Sequence, residues 1–210
     1  MPDWDKIFKD HGYFFVDPHE DMSRLVSLFR EHRVRRILDV GCGTGRHLVY
    51  FARNGFDVHG FDSSVHALSL AEKWLQEESL TADICEHCME RTFPYLDSHF
   101  DAVISIQVIH HNLVRDILLT ISEIERVTRS QGYIFITVPV LGQQPSVYDD
   151  GWQLQPIEEG TYIPQSEPES GLLHHYFTED ELLKTFHNFE KIELYLDSSG
   201  HRCFLGRKKG

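Results

Sequence analysis

The run Ile37-Leu38-Asp39-Val40-Gly41-Cys42-Gly43-Thr44-Gly45 constrains this chain more than any other stretch. A short apolar strand carrying an acid is followed by glycine at every second position, and then by a helical pattern. Glycine after a strand lets the backbone turn sharply and approach a bound nucleotide, with the amides of the next helix facing the ligand. Asp39, two residues before the first glycine, sets the charge preference of the loop. A loop shaped to cradle pyrophosphate is poorly served by a carboxylate there, because like charges repel, whereas a cationic nucleoside is attracted.

The pattern around this loop alternates strand with helix, which means a parallel, doubly wound α/β sheet. Phe56 to Asp62 reads as a second strand, and Ser63 or Ser64 caps a helix with the apolar stripe Val65, Leu68, Ala71 and Leu75. Ser79 to Ile84 reads as a third strand carrying Asp83, and the apolar Phe100–Ile106 as a central strand covered on both faces. A helix through Ile117, Leu118, Ile121 and Ile124, ending near Gly132, leads to a fifth strand from Tyr133 to Val138. Residues 1–34 read as a helical cap. Trp4, Ile7 and Phe8 share one face there, and Asp17-Pro18 marks the start of a helix carrying Met22, Leu25, Val26 and Phe29. Residues 139–177 lack a sustained period and are expected to form a lid over a binding site. Thr178 and Glu181 form a capping box, and Phe189–Leu196 with Cys203–Gly206 read as a closing hairpin.

At 210 residues the chain is expected to be one domain, monomeric or homodimeric. Its net charge of −13 disfavours nucleic acid as a partner, which needs a basic footprint. No stretch reaches the length of a membrane span and no signal pattern opens the chain, so a cytoplasmic location with reduced thiols is expected. Cys85-Glu86-His87-Cys88 has metal-ligand spacing on one side only, and no metal is expected there.

Acids are expected to end three successive strands, at Asp39, Asp62 and Asp83, lining one crevice outside the carboxyl edge of the sheet. With LDVGCGTG ahead of them, residues 35–140 resemble the class I S-adenosylmethionine-dependent methyltransferases. The kinship is to the small single-domain kind of types 11, 12 and 25, with some similarity to the tellurite-resistance group. The resemblance implies a Rossmann-like, three-layer αβα fold whose seven-stranded sheet has its last strand antiparallel. It implies S-adenosylmethionine as cofactor, with Asp39, Gly41, Cys42, Gly43 and Gly45 around the methionine moiety. It further implies Asp62 on the ribose, Ser63, Asp83 and Ile84 at the adenine, and Gln107 facing donor and acceptor.

Methyl transfer to a small-molecule acceptor is an in-line displacement that a protein promotes by positioning and by excluding water. A nitrogen or oxygen acceptor also calls for a base, and His110, His111 and His175 are the candidates. His174 and Tyr176 stand beside them as polar partners, and His47 follows the glycine loop. Trp4, Tyr13, Phe14 and Phe15 would cover the acceptor. The pairs His110-His111 and His174-His175 are read as unrelated rather than as one metal cluster. Two other readings remain open: a non-catalytic cofactor-binding protein, and an NAD(P)-dependent oxidoreductase, whose G-x-G-x-x-G spacing this loop does not have.

Overall fold

Alternate residues of the central strands serve opposite layers, which is why those strands are apolar throughout. In the computed structural model, which describes residues 4–13, 15–142, 153–165 and 169–210, β1 (Arg36–Val40) sends Ile37 to one side and Leu38 and Val40 to the other. The Ile37 side is covered by α2 (Met22–Glu31), α3 (Arg46–Arg53) and α4 (Val65–Glu77), through Phe29, Phe51 and Ala71. The Leu38 side is covered by α5 (Val114–Val127) and α6 (Glu179–Thr185), through Ile121, Ile124, Leu182 and Phe186. The result is the three-layer αβα arrangement expected.

The remaining strands of this sheet are β2 (Asp57–Asp62), β3 (Asp83–Glu86), β4 (Phe100–Ile106), β5 (Thr128–Val138), β9 (Phe189–Leu196) and β10 (Arg202–Lys208). Their order is β3-β2-β1-β4-β5-β10-β9. Pairing is parallel from β3 to β5, and β10 runs antiparallel to both its neighbours. The seven strands and the reversed last strand are therefore as expected, as is the capping box of Thr178 and Glu181. Among the described residues, no helix is long and apolar enough to cross a membrane.

Several local expectations are corrected. Asp17-Pro18 does not open a helix: α2 starts at Met22, and residues 17–20 instead line a cavity, where the amide of His19 donates to Nε2 of His47. Leu118 lies on the outer face of α5 and is half exposed. β5 begins five residues before Tyr133, directly at the end of α5. The third strand is displaced most consequentially. Asp83 opens β3 opposite His59, whose Nδ1 lies 3.3 Å from its carboxylate, and Glu86 closes the strand opposite Asp62. The segment 139–177 is not a structureless lid where it is described. It contains β6 (Leu154–Glu158), β7 (Thr161–Pro164) and β8 (His174–His175), paired as a second, three-stranded antiparallel sheet. Phe14, Tyr148 and Trp152 lie outside the described residues.

The amino-terminal helix α1 (Trp4–His11) is anchored along α4. Asp5 accepts hydrogen bonds from Oγ of Ser64 at 2.8 Å and from the amide of His66 at 3.0 Å, so it serves as a second cap for α4. Tyr13 donates to the carbonyl of Leu70 and stacks edge-on against Trp74. This anchoring carries Trp4 and Phe8 over the carboxyl edge of the sheet.

Candidate active site

A cavity of about 550 Å³ follows that edge from the end of β3 to the hairpin between β9 and β10. Its size falls in the range of small-molecule sites, and its place outside the carboxyl ends of parallel strands is where such sheets bind ligands. Trp4, Phe8 and Phe15 form an aromatic roof.

The floor is the glycine loop, and its glycines are needed for two separate reasons. Gly41 has φ +70, and a Cβ there would overlap the side chain of Val108, 2.7 Å from its Cγ2. Gly45 has φ +91, and a Cβ there would lie 2.9 Å from Cβ of Ala71, so it seats α3 against α4. The turn is clamped to β2, since the amides of Gly41 and Cys42 both donate to the carbonyl of Phe61 at 3.0 Å. Asp62 completes the clamp: one carboxylate oxygen accepts from the amide of Gly43 at 2.8 Å, the other from the amide of Ser64 at 2.9 Å. Burial pushes this carboxyl up, while those amides pull it down. Ser63, beside it, lines the cavity.

Asp39 lies beneath the loop rather than in the cavity wall. It is 2 % exposed, and its Oδ2 has no hydrogen-bond partner among the described residues. Burial pushes its carboxyl up to about 7, with Asp62 adding to the rise and Arg46 opposing it. Arg46, the first residue of α3, is the only lysine or arginine among the described residues of the wall. It donates to the carbonyl of Asp17 at 3.1 Å and lies 5.2 Å from the centre of the Phe15 ring. Burial pushes His47 well below its ordinary value, with Arg46 and His19 acting in the same direction. The cavity floor is thus short of positive charge where two buried acids meet.

Toward β10 the wall is made of side chains from separate segments. Gln107 closes β4 with φ +61, a left-handed conformation unusual for a residue with a side chain. Its amide and its side-chain Nε2 both donate to Oγ1 of Thr137 at 3.0 Å. His111 faces the cavity with its ring edge-on to Trp4, and its Nδ1 lies 3.1 Å from the carbonyl of Leu173. A carbonyl only accepts, so Nδ1 carries the proton and Nε2 is the lone-pair nitrogen of the neutral ring. Burial and the nearby His174 push His111 down to about 3, so it is neutral. Opposite, Oδ2 of Asp197 lies 3.0 Å from Nε2 of His19 and 3.4 Å from Nδ1 of His201. Burial pushes Asp197 up, but hydrogen bonds from His19 and His201 outweigh it and hold the carboxyl far below the usual range.

The structure therefore gathers Gly41, Cys42, Gly43, Asp62, Ser63, Gln107 and His111 around one cavity. Asp83 and Ile84 are not there. Because β3 ends at Glu86, the residues that reach the cavity from this strand are His87, Cys88 and Met89. His110 and His175 are also absent from the wall. His110 is buried behind it, and both nitrogens of His175 are taken, Nδ1 by Thr161 at 2.8 Å and Nε2 by Glu181 at 3.0 Å. His175 ties the small sheet to α6 and has no free atom for a substrate. Arg46, His19, Asp197 and His201 are wall residues that sequence reasoning missed; Arg46, directly after the third glycine, and Asp197 and His201, on either side of the hairpin turn, had positions that could have revealed them.

Residues 38–136 match the family described as a methyltransferase domain. The ubiquinone biosynthesis O-methyltransferase of Dechloromonas aromatica is 28% identical over 133 residues, covering 61% of this chain and 56% of that protein. The chain spans about half the length of the curated relatives it matches. A solved S-adenosylmethionine-dependent methyltransferase from Methanosarcina mazei superposes with a TM-score of 0.73 at 21% identity, covering 96% of this chain and 97% of that one. TehB from Haemophilus influenzae, of the tellurite-resistance group, superposes with a TM-score of 0.67 at 19% identity, covering 98% and 66%. At such identities the two structures speak for the fold. The methyltransferase-domain match thus lies over the parallel strands that build the cavity, and the sheet has the fold of solved S-adenosylmethionine-dependent methyltransferases.

Proposed function

We propose that this chain moves the methyl group of S-adenosylmethionine to a small-molecule acceptor held in the same cavity. The observation that carries the reading is the continuity of that cavity, from the glycine loop and Asp62 at one end to His111, Asp197 and His201 at the other. When bound, the cofactor supplies a methyl group on a sulfonium whose charge disperses as the acceptor attacks.

The chain's own groups divide the work. Each oxygen of Asp62 has accepted one amide, and a carboxylate has about four lone-pair sites, so it retains capacity for both ribose hydroxyls. Ser63, His87, Cys88 and Met89 surround the adenine end. Gly41 and Gly43 bring main chain against the methionine moiety. Arg46 meets its carboxylate, and the orphaned Asp39 favours its positive charges through the loop. Gln107, held in a strained conformation by Thr137, stands where donor and acceptor meet. Trp4, Phe8 and Phe15 keep water from the reacting atoms. His201, backed by Asp197, accepts a proton from a nitrogen or oxygen acceptor, and His111 lines the facing wall.

The test combines binding with turnover. S-adenosylmethionine and S-adenosylhomocysteine should each raise the unfolding temperature, whereas NAD should not. Labelled methyl should pass from the cofactor to at least one member of a panel of small nitrogen, oxygen and sulfur acceptors. Stabilisation by NAD alone would overturn the cofactor assignment. Tight binding of both methionine nucleosides, with no transfer to any acceptor, would support a binding protein instead.

A further inference from the structure

At the β9–β10 hairpin the cavity wall carries two acids that are held by neutral groups. Asp197 has only 3 % of its side chain exposed. Its Oδ1 accepts from the amides of Ser199 at 2.9 Å and His201 at 2.8 Å, while its Oδ2 faces His19 and His201. Surrounded by donors alone, it is ionised. The amide of Asp21 donates to Nδ1 of His19 at 3.2 Å, so the proton of that ring is on Nε2 and the ring is neutral. Glu20 is held in the same way, by the amide of Ser198 at 3.0 Å and by the Ser198 hydroxyl.

The cations nearby are engaged elsewhere. Arg24 pairs with Asp21 at 3.0 Å and with Glu193 at 2.6 Å, and it is not a wall residue. Arg46 belongs to the glycine-loop end, where it donates to the carbonyl of Asp17. On the facing wall, burial and His174 keep His111 neutral. An anion placed at the hairpin therefore meets two carboxylates and no unengaged cation, and partial burial strengthens the repulsion. An N–H donor or a positive charge meets the reverse. The roof adds a preference for shape: the ring centres of Trp4 and Phe8 are 5.8 Å apart, and Trp4 stands edge-on to His111 at 4.8 Å. Aromatic surfaces of this kind attract planar rings and cations.

We propose, resting on the methyl-transfer reading, that the acceptor is a planar nitrogen base carrying an N–H, an arylamine or amino-heterocycle, and that Asp197 and Glu20 select it over anionic rings. The nitrogen lone pair forms the bond to the methyl carbon as the carbon–sulfur bond breaks, and that electron pair stays on sulfur. The sulfonium becomes the neutral thioether of S-adenosylhomocysteine, and the positive charge moves to the methylated nitrogen. Its N–H proton then passes to the lone-pair nitrogen of His201, whose other nitrogen faces Asp197.

Calorimetry on the full-length chain saturated with S-adenosylhomocysteine tests the acceptor class. The probes are three bicyclic rings of matched size: an aminoquinoline, a naphthol and a naphthoate. The aminoquinoline should bind about tenfold or more tighter than the naphthoate, with the naphthol between them. Glu20→Gln and Asp197→Asn keep the shape of each side chain and remove its charge, so each should narrow the gap about threefold, as should added salt. Unfolding curves establish that both variants are folded, and the ranking on the wild-type chain requires no variant. Three results would overturn the proposal: a naphthoate that binds as tightly as the aminoquinoline, an aminoquinoline that does not bind, or a gap unchanged in both variants. All three leave cofactor binding standing, whereas failure of S-adenosylhomocysteine itself to bind would overturn the methyl-transfer reading beneath it.

Discussion

The two ends of the cavity are built on different principles. At the β1–β2 end the shape is made by main chain: positive-φ glycines, amides donated to the Phe61 carbonyl, and an Asp62 carboxylate whose hydrogen bonds come from the backbone. At the β10 end it is made by side chains from residues 4–20, 107–112 and 197–201, joined by contacts such as His19 to Asp197. Main-chain geometry depends on a short contiguous sequence and permits few alternatives. Side-chain assemblies from distant segments allow many. The first end therefore suits an invariant donor, the second a variable acceptor.

Substitutions sharpen or break this division. The largest effect is expected at the β10 end, where His201→Ala should lower turnover about a hundredfold or more, as loss of a general base does. Its affinity for S-adenosylmethionine, read by calorimetry, should stay within about twofold of wild type. A matching fall in cofactor affinity would erase the distinction between the ends.

At the other end, Gly41→Ala should cost roughly 2–4 kcal/mol of stability, combining a left-handed backbone with a clash against Val108. Denaturant unfolding of Gly41→Ala/Val108→Ala should recover the clash and not the backbone part. Asp62→Ala should weaken cofactor binding roughly a hundredfold by removing a charged acceptor. Unchanged affinity there would refute the ribose assignment.

A smaller effect is expected from Asp39, whose carboxyl is raised to about 7 by burial and by Asp62, against Arg46. The unfolded carboxyl titrates near ~3.9, so the folded chain holds the extra proton between about pH 4 and 7. Stability should fall as pH rises through that window and then level. A cationic ligand favours the carboxylate, so affinity for S-adenosylmethionine should rise over the same range. S-adenosylhomocysteine, without the sulfonium, should show a shallower rise, and Asp39→Asn should flatten both curves. The smallest effect separates strain from contact at Gln107: Gln107→Gly should be about 1 kcal/mol more stable than Gln107→Ala, because glycine accepts φ +61.

Sequence reasoning read these two ends unequally for the same physical reason. The glycine loop, the strand end at Asp62 and the alternation of strand with helix followed from local patterns, because turn chemistry and apolar alternation act over a few residues. Asp83 was misplaced because strand register depends on a neighbour: only the pairing of Asp62 with Glu86 shows where β3 ends. His19 left no local trace, since its meeting with Asp197 requires β10 to fold back beside β5, whereas Asp197 and His201 face each other across a single hairpin turn. The small sheet of β6, β7 and β8 was hidden for a similar reason, its strands being short and half exposed.

The two hydrogen bonds that Asp5 accepts at the amino end of α4 have a consequence in time rather than in affinity. The helix turn they cap is the one that presents Ser63 to the cavity, and the helix they secure is the one that carries Trp4 and Phe8 above it. Asp5 and Ser64 do not line the cavity themselves, so the two bonds join its roof to α4 from outside it. Asp5→Ala is therefore expected to shorten the residence time of a bound nucleoside, read by stopped flow, while leaving the residues that line the cavity unchanged.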